Sequence, residues 1–349
     1  MKLINSLFGP RTRSRTITFA LVIVAYIALS VFKASGNMTR MVSSLLVPVC
    51  CYIVAAIGLN LNVGFSGELN LGQAGFMSVG GFTAAIVNGM TLSMIPNDMI
   101  RLVLCIICGA IMAGFIGWLI SIPVLKLEGD YLAIVTLAFG QIIMSLLNNL
   151  YVGFDSAGLH FAFMNNTIKL QEGGKLIVSG PMGVTGNSMI SSFTAGFILI
   201  LVSLFIVYNL MYSKEGRAIM ACRDNKIAAE TVGIRVASTK TMAFVLSSAL
   251  GGAAGALYMM NYSSVAATKF DFNTSILVLV YVVLGGLGNM TGTVIATSVL
   301  VMLPEVLRFL SSYRMLVYAI VLIVMMIVTN NQKVLSAVES FRRKMKKGA

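Results

Sequence analysis

Residues 213–240 read SKEGRAIMACRDNKIAAETVGIRVASTK, the longest polar interruption of helix-forming composition in a chain otherwise built from apolar runs. Lys214, Arg217, Arg223, Lys226, Arg235 and Lys240 stand there against Glu215, Asp224 and Glu230. The segment Asn225–Ile234 predicts a short helix, because alanine is the best helix former and Gly233 is placed to stop it. Ile227, Val232 and Ile234 are too few to build a core of their own. On either side lie Met189–Tyr212 and Thr241–Tyr262, each apolar and long enough to cross a bilayer. A charged helix held between two such runs needs a partner to pack against.

The same apolar pattern recurs from end to end. Of 349 residues, 58% are hydrophobic and 11% charged, whereas soluble domains carry about 25% charged residues. Helices satisfy their own backbone hydrogen bonds in lipid, and the long apolar runs are not the short alternating strands of a barrel. The expected fold is therefore all-α: a polytopic helical membrane protein of about ten spans, some short or broken by glycine.

In order, Met1–Thr16 is a basic arm and Ile17–Phe32 a first span, read as retained because no small-residue cleavage pattern follows it. Thr39–Leu59 contains Pro48, a candidate kink. Gly58–Phe82 is polar and glycine-studded and flows into an apolar run ending near Val87. Met99–Val124 and Tyr131–Leu150 follow, joined by the turn Leu127–Tyr131. Tyr151–Ser188 is a long polar loop, and beyond the 213–240 stretch come Asn273–Leu284, Thr293–Leu307 and Met315–Val328. Gly285–Gly292 interrupts that last group, and 331–349 is a basic tail. The transmembrane domain is accordingly placed at 17–330.

Charge orients these spans. With both termini in the cytoplasm, the inner side collects the arm, Lys126, Lys214–Lys240 and the tail, seventeen of the 25 Lys and Arg residues. The net charge of +13 is read as this inside excess, not as a nucleic-acid footprint. Tyr151–Ser188 then lies outside.

Several chemistries are excluded. No G-x-x-x-x-G-K-[ST] is present to cradle ATP phosphates. His160 is the only histidine, which rules out a multi-histidine metal site, and no cofactor is implied. Cys105 and Cys108 have a redox or zinc spacing but sit inside a span without a second ligand pair, and packing is the reading adopted. No span carries a row of arginines or a chain of acids. Glu68 is the one acid in an apolar-flanked stretch, and it reads equally as a pathway group or as a charge in a surface turn. The glycines between Gly64 and Gly81 also read two ways. They permit close helix packing, yet Asn60, Asn62, Ser66, Asn70 and Gln73 add polar groups tolerated at membrane depth only when buried in protein or lining a wet cavity. The second break at Gly285–Gly292 pairs with the first, as where a path runs between two halves. Gly251–Gly255 reads as helix contact only.

Six blocks together carry a resemblance. GLNLNVGFSGELNLGQAGF (58–76), LEGDYLAIVTLAF (127–139), GPMGVTG (180–186), EGRA with AAETVGI (215–234), ALGGAAGALY (249–258) and VLGGLGNMTGT (283–293) are similar, in order, to the permease subunits of branched-chain amino acid ABC importers. The likeness runs from about Leu45 to Leu307. It implies a bacterial-type inner membrane, a second related permease, two cytoplasmic ATP-binding subunits and an extracytoplasmic binding protein. It also implies that the 213–240 helix couples the ATPase to the spans through Arg217, Arg223, Asp224, Ala228, Ala229, Glu230 and Gly233. In this reading Ala228 and Ala229 form the close contact, and Asn60, Asn62, Glu68, Asn70 and Gln73 line the translocation path. Related permeases carry urea, short amides or sugars. A stand-alone channel or secondary carrier, with 213–240 a mere connector, is the reading from another class.

Overall fold

The computed structural model describes residues 10–35, 40–92, 95–127, 129–155, 158–164, 174–307 and 313–330; the basic tail read at 331–349 and most of the basic arm, residues 1–9, lie outside them. Ten helices of fourteen residues or more are described. They are α1 (Pro10–Ala34), α2 (Arg40–Asn60), α3 (Gln73–Thr91), α4 (Asp98–Val124), α5 (Asp130–Asn148), α6 (Phe193–Tyr212), α9 (Val236–Met259), α10 (Phe272–Gly285), α11 (Met290–Val306) and α12 (Arg314–Asn330). Two short helices, α7 (Lys214–Asp224) and α8 (Lys226–Thr231), lie in the polar stretch. Six of the ten are long and apolar enough to cross a membrane, and α10 and α11 are shorter apolar helices. The fold is thus the polytopic helical one expected, with the count of spans approximate. Helix α1 starts at Pro10, so the stretch read as a basic arm is already helical in part. The chain forms two compact units, one up to Thr297 and one from Ser298 that contains α12.

Helix starts follow local chemistry. Asn97, Ser192 and Asp271 each turn a side-chain oxygen to a free N–H of the first turn of α4, α6 and α10. The core of the first unit is the packing of α9 on α3 and α4, with α2 against α9. Phe76, Val79, Ala113, Ile120, Leu132 and Phe244 fill it. Backbones meet there through glycine: a Cβ on Gly80 would strike the Gly252 backbone, and one on Gly255 the Met77 carbonyl. The Gly251–Gly255 segment is helix contact, as its small residues imply.

One loop departs from the helical pattern. Between α5 and α6, β1 (Leu150–Asp155) pairs antiparallel with both β2 (Gly158–Phe163) and β3 (Lys175–Ser179), in the order β2-β1-β3. Val152 sits fully buried opposite Phe161 and Val178. Val184 then bridges to both Val178 and Val265, tying this sheet to the segment after α9. His160, on β2, lies 3.1 Å from Asp155 across the hairpin.

Candidate functional site

The polar stretch folds as two capped helices at an elbow. Ser213 caps α7 by accepting from the Gly216 N–H at 3.2 Å, and Asn225 caps α8 by accepting from the Ala228 N–H at 3.0 Å. Gly233 ends the second helix with φ +82°, a left-handed conformation that residues with a side chain rarely adopt. Its N–H bonds to the Glu230 carbonyl, and the Ile234 N–H to that of Ala229, both at 3.0 Å. Cys222, Ala229 and Val236 form a small core, with Ala221 and Ile234 packed against it. Burial, the larger cause, and nearby Glu230 raise the Cys222 thiol pKa against the opposing pull of Lys240. The thiol stays protonated and serves as a small apolar filler.

This packing corrects one expectation. Ala229 is only 3% exposed and faces its own chain, so it does not lie on an outward contact face. The outward apolar residues here are Ile227 in α8 and Val232 at its C-terminal cap, each 75% exposed. Asp224, Ala228 and Glu230 are exposed beside them. Arg217 is also exposed and donates to the Tyr212 carbonyl at 3.3 Å. Arg223 turns elsewhere: its Nη1 donates to the carbonyl of Gly64 in the first glycine-rich segment.

That segment is a true break. Helix α2 runs into a π-helical turn, Leu61–Ser66, then Gly67 at φ +76°, then non-helical chain until α3 starts at Gln73. Wide turns of this kind are rare and concentrate at functional sites. The second break, between α10 and α11, packs on it. Gly64 lies so close to Gly288 that a Cβ has no room. The Gly288 N–H donates to Asn60 Oδ1 at 2.9 Å, and Asn60 Nδ2 donates to Thr293 Oγ1 at 2.8 Å. The two interruptions, more than 200 residues apart, form one layer.

The polar residues of the break separate into two kinds. Asn60 is a tie between the breaks. Gln73 Nε2 is a strut, reaching the Ala55 carbonyl at 3.3 Å and the Ser247 carbonyl at 3.4 Å. Asn70 Oδ1 accepts from the Gly72 N–H at 2.8 Å. Asn62 is fully buried, and neither its Oδ1 nor its Nδ2 has a partner among the described residues. The Oγ of Ser66 is in the same condition. Glu68, 8% exposed, is ion-paired with Lys240 at the start of α9. The sequence offered no signal for Lys240, Thr293 or Ser247 as partners, since all three contacts span more than 170 residues.

A contrast in stability follows. Asn60→Leu removes the acceptor of the half-buried Gly288 N–H and the donor to Thr293, a loss of about 1 kcal/mol for each bond. Asn62→Leu has no hydrogen bond to lose. Thermal unfolding of the purified chain in detergent should show a lower Tm for the first and an unchanged or higher one for the second. Equal losses would mean that Asn62 is bonded in the folded protein.

A polytopic helical membrane protein with paired helix breaks, tied to a compact polar loop that presents an apolar helix face, has the anatomy of a transport subunit. Residues 41–329 match the family model described as branched-chain amino acid transport system / permease component, and the chain belongs to that family. It is 33% identical over 286 residues to the high-affinity branched-chain amino acid transport system permease protein LivM of Escherichia coli, covering 79% of this chain and 66% of that relative. The probable branched-chain amino acid transport permease protein LivM of Methanocaldococcus jannaschii is 25% identical, covering 72% of this chain and 77% of that one. The fructose import permease protein FruG of Bifidobacterium longum is 22% identical over 74% of this chain and 72% of its own. The chain thus spans just under two thirds of the E. coli relative's length. No solved structure matches it.

Proposed function

We propose that this chain is the permease subunit of an ATP-binding-cassette importer and forms the path for branched-chain or similar apolar amino acids. It works with a second, related permease, two ATP-binding subunits on the cytoplasmic side and an extracytoplasmic binding protein. The observation that carries this reading is the exposed apolar face of α8 on a loop whose other side is bonded to the helix break. A mere connector has no reason to fold into two capped helices with a core. A neutral amino acid crosses as a zwitterion, so its path needs polar groups and otherwise tolerates apolar walls. Asn62, with a free donor and a free acceptor, supplies both without a fixed charge that would hold the cargo. Asn70 and Gln73, further along the same glycine-rich segment, each keep one atom without a partner among the described residues.

Reconstitution tests the assignment directly. Proteoliposomes with the chain, its partner permease and the ATP-binding subunits should accumulate leucine, isoleucine or valine only with ATP inside the coupling compartment and binding protein on the other side. Uptake without either would place the chain among channels or carriers. Uptake of a sugar in place of these amino acids would move it toward the role named for the fructose import relative.

Orientation has its own test. Both termini and the 213–240 loop are assigned to the cytoplasm from the seventeen inside charges. A cysteine at Ser238, exposed on the first turn of α9, should resist an impermeant thiol reagent in intact cells and react in inverted vesicles. The five native cysteines are replaced first. Labelling from outside would invert the topology.

A further inference from the structure

We propose that Glu68 and Lys240, with Arg223 on the Gly64 carbonyl, form a latch that holds the helix break closed and must release for solute to pass. The proposal rests on the importer reading and adds how the polar loop acts on the path. Three observations converge on it. First, the break is gripped from the loop at two nearby points inside the irregular segment: Arg223 holds the Gly64 carbonyl in the π-helical turn, and Lys240 holds Glu68 just after Gly67. Second, both grips originate on elements adjoining α8: Arg223 closes α7, and Lys240 lies in the first turns of α9. A displacement of α8 therefore reaches the break through side chains as well as along the backbone. Third, the gripped turn carries buried polar atoms without a partner among the described residues, Ser66 between the grips and Asn62 just ahead of them, which a second arrangement of the turn can satisfy.

The chemistry suits a release rather than a permanent bond. An ion pair at this depth is strong enough to hold register, yet its opening exposes both charges to the water of the loop side, where each is solvated. The Arg223 contact takes no side chain from the break. It bonds a backbone carbonyl that the π-helical turn leaves available, so it senses the shape of the turn itself. The close approach of Gly64 to Gly288 carries that shape to the second break.

Two measurements on the reconstituted transporter decide the matter. In a cysteine-free background, Glu68→Cys and Lys240→Cys are bridged with a short, reducible bifunctional thiosulfonate. Solute flux should fall on the order of tenfold or more when bridged and return on reduction, because the latch then cannot open. Undiminished flux in the bridged protein overturns the proposal. This arm reads flux alone, so it stands even if ATP proves irrelevant and the importer reading falls. The second arm reads solute moved per ATP hydrolysed. Glu68→Lys should keep hydrolysis and lose most transport, and adding Lys240→Glu should restore the ratio. An unchanged ratio in Glu68→Lys, or a charge-swapped protein that inserts normally yet stays uncoupled, overturns the latch.

Discussion

Ile227→Asp combined with Val232→Asp should abolish uptake and strip the ATP-binding subunits from the purified complex, while the chain itself inserts and folds normally. Both side chains are three-quarters exposed, so a charge on either is solvated in the isolated chain and costs the fold little. Docked against a partner groove, the same carboxylates lose water without gaining a counter-charge. That is the expensive half of burying an ion. The milder double change to alanine gives a scale. Fully burying an Ile or Val side chain is worth about 1.5–3 kcal/mol, so truncating two hot contacts should weaken docking by roughly a hundredfold or more in Kd. Ala229→Asp cannot make this distinction. It drives a charge into the Cys222, Val236 core and disturbs the loop whether or not anything docks there. Co-purification with tagged ATP-binding subunits, alongside uptake in cells, gives the reading. Wild-type levels of both in the aspartate double variant would make α8 a connector and remove the mechanical centre of the importer assignment.

The same loop shows where sequence reasoning reached and where it stopped. The second helix of the loop was legible because its signals are local, two alanines and a glycine stop, whereas the helix before it and the elbow between them were not read. Which side of α8 faces inward was not. A helix of six residues makes under two turns, and alanine suits a core or a surface equally well. Only the position of Cys222 and Val236, set by the course of the neighbouring helices, turns Ala229 in and Ile227 out. The break teaches the same lesson at finer grain. Asn60 and Asn62 are the same side chain two positions apart, and only Gly288 and Thr293, brought in from the far end of the unit, make one of them structural. The apolar runs, by contrast, set the long helices almost unaided, because the length a bilayer demands is itself a local property. The sheet at 150–179 escaped notice for a related reason. Its strands are short and the polar residues around them dominate the pattern, whereas its order is set by β1 pairing on both edges, with β2 and with the more distant β3.

The largest effect on the fold itself should come from a single methylene-rich side chain at Gly252. A Cβ there already meets Ala113 Cβ and the Gly109 carbonyl of α4, while the Gly252 backbone in turn blocks any side chain on Gly80 of α3. Three helices therefore share one small point of closest approach, and the obstacles include backbone, which cannot rotate aside as a side chain does. Between helices in lipid there is little hydrophobic drive, and close van der Waals packing of small residues carries the association. Gly252→Leu must push α9 off both neighbours along a shared interface. Overpacking in a dense core costs about 1–3 kcal/mol when the surroundings relax and more when they cannot. Loss of monodisperse protein on size-exclusion chromatography in detergent is the expected result. Gly114→Ala, on the same α4 face, is the matched control. Its new Cβ meets the Ala249 side chain at 3.3 Å, close enough to shift a neighbour by a few tenths of an ångström and no more. It should keep the elution profile and lower the Tm by at most a few degrees, about what 1 kcal/mol does in a domain of this size. A monodisperse Gly252→Leu protein with an unchanged Tm would mean that α9 does not pack on α3 and α4 through its glycines. The core that positions the break and the loop would then have to be sought elsewhere.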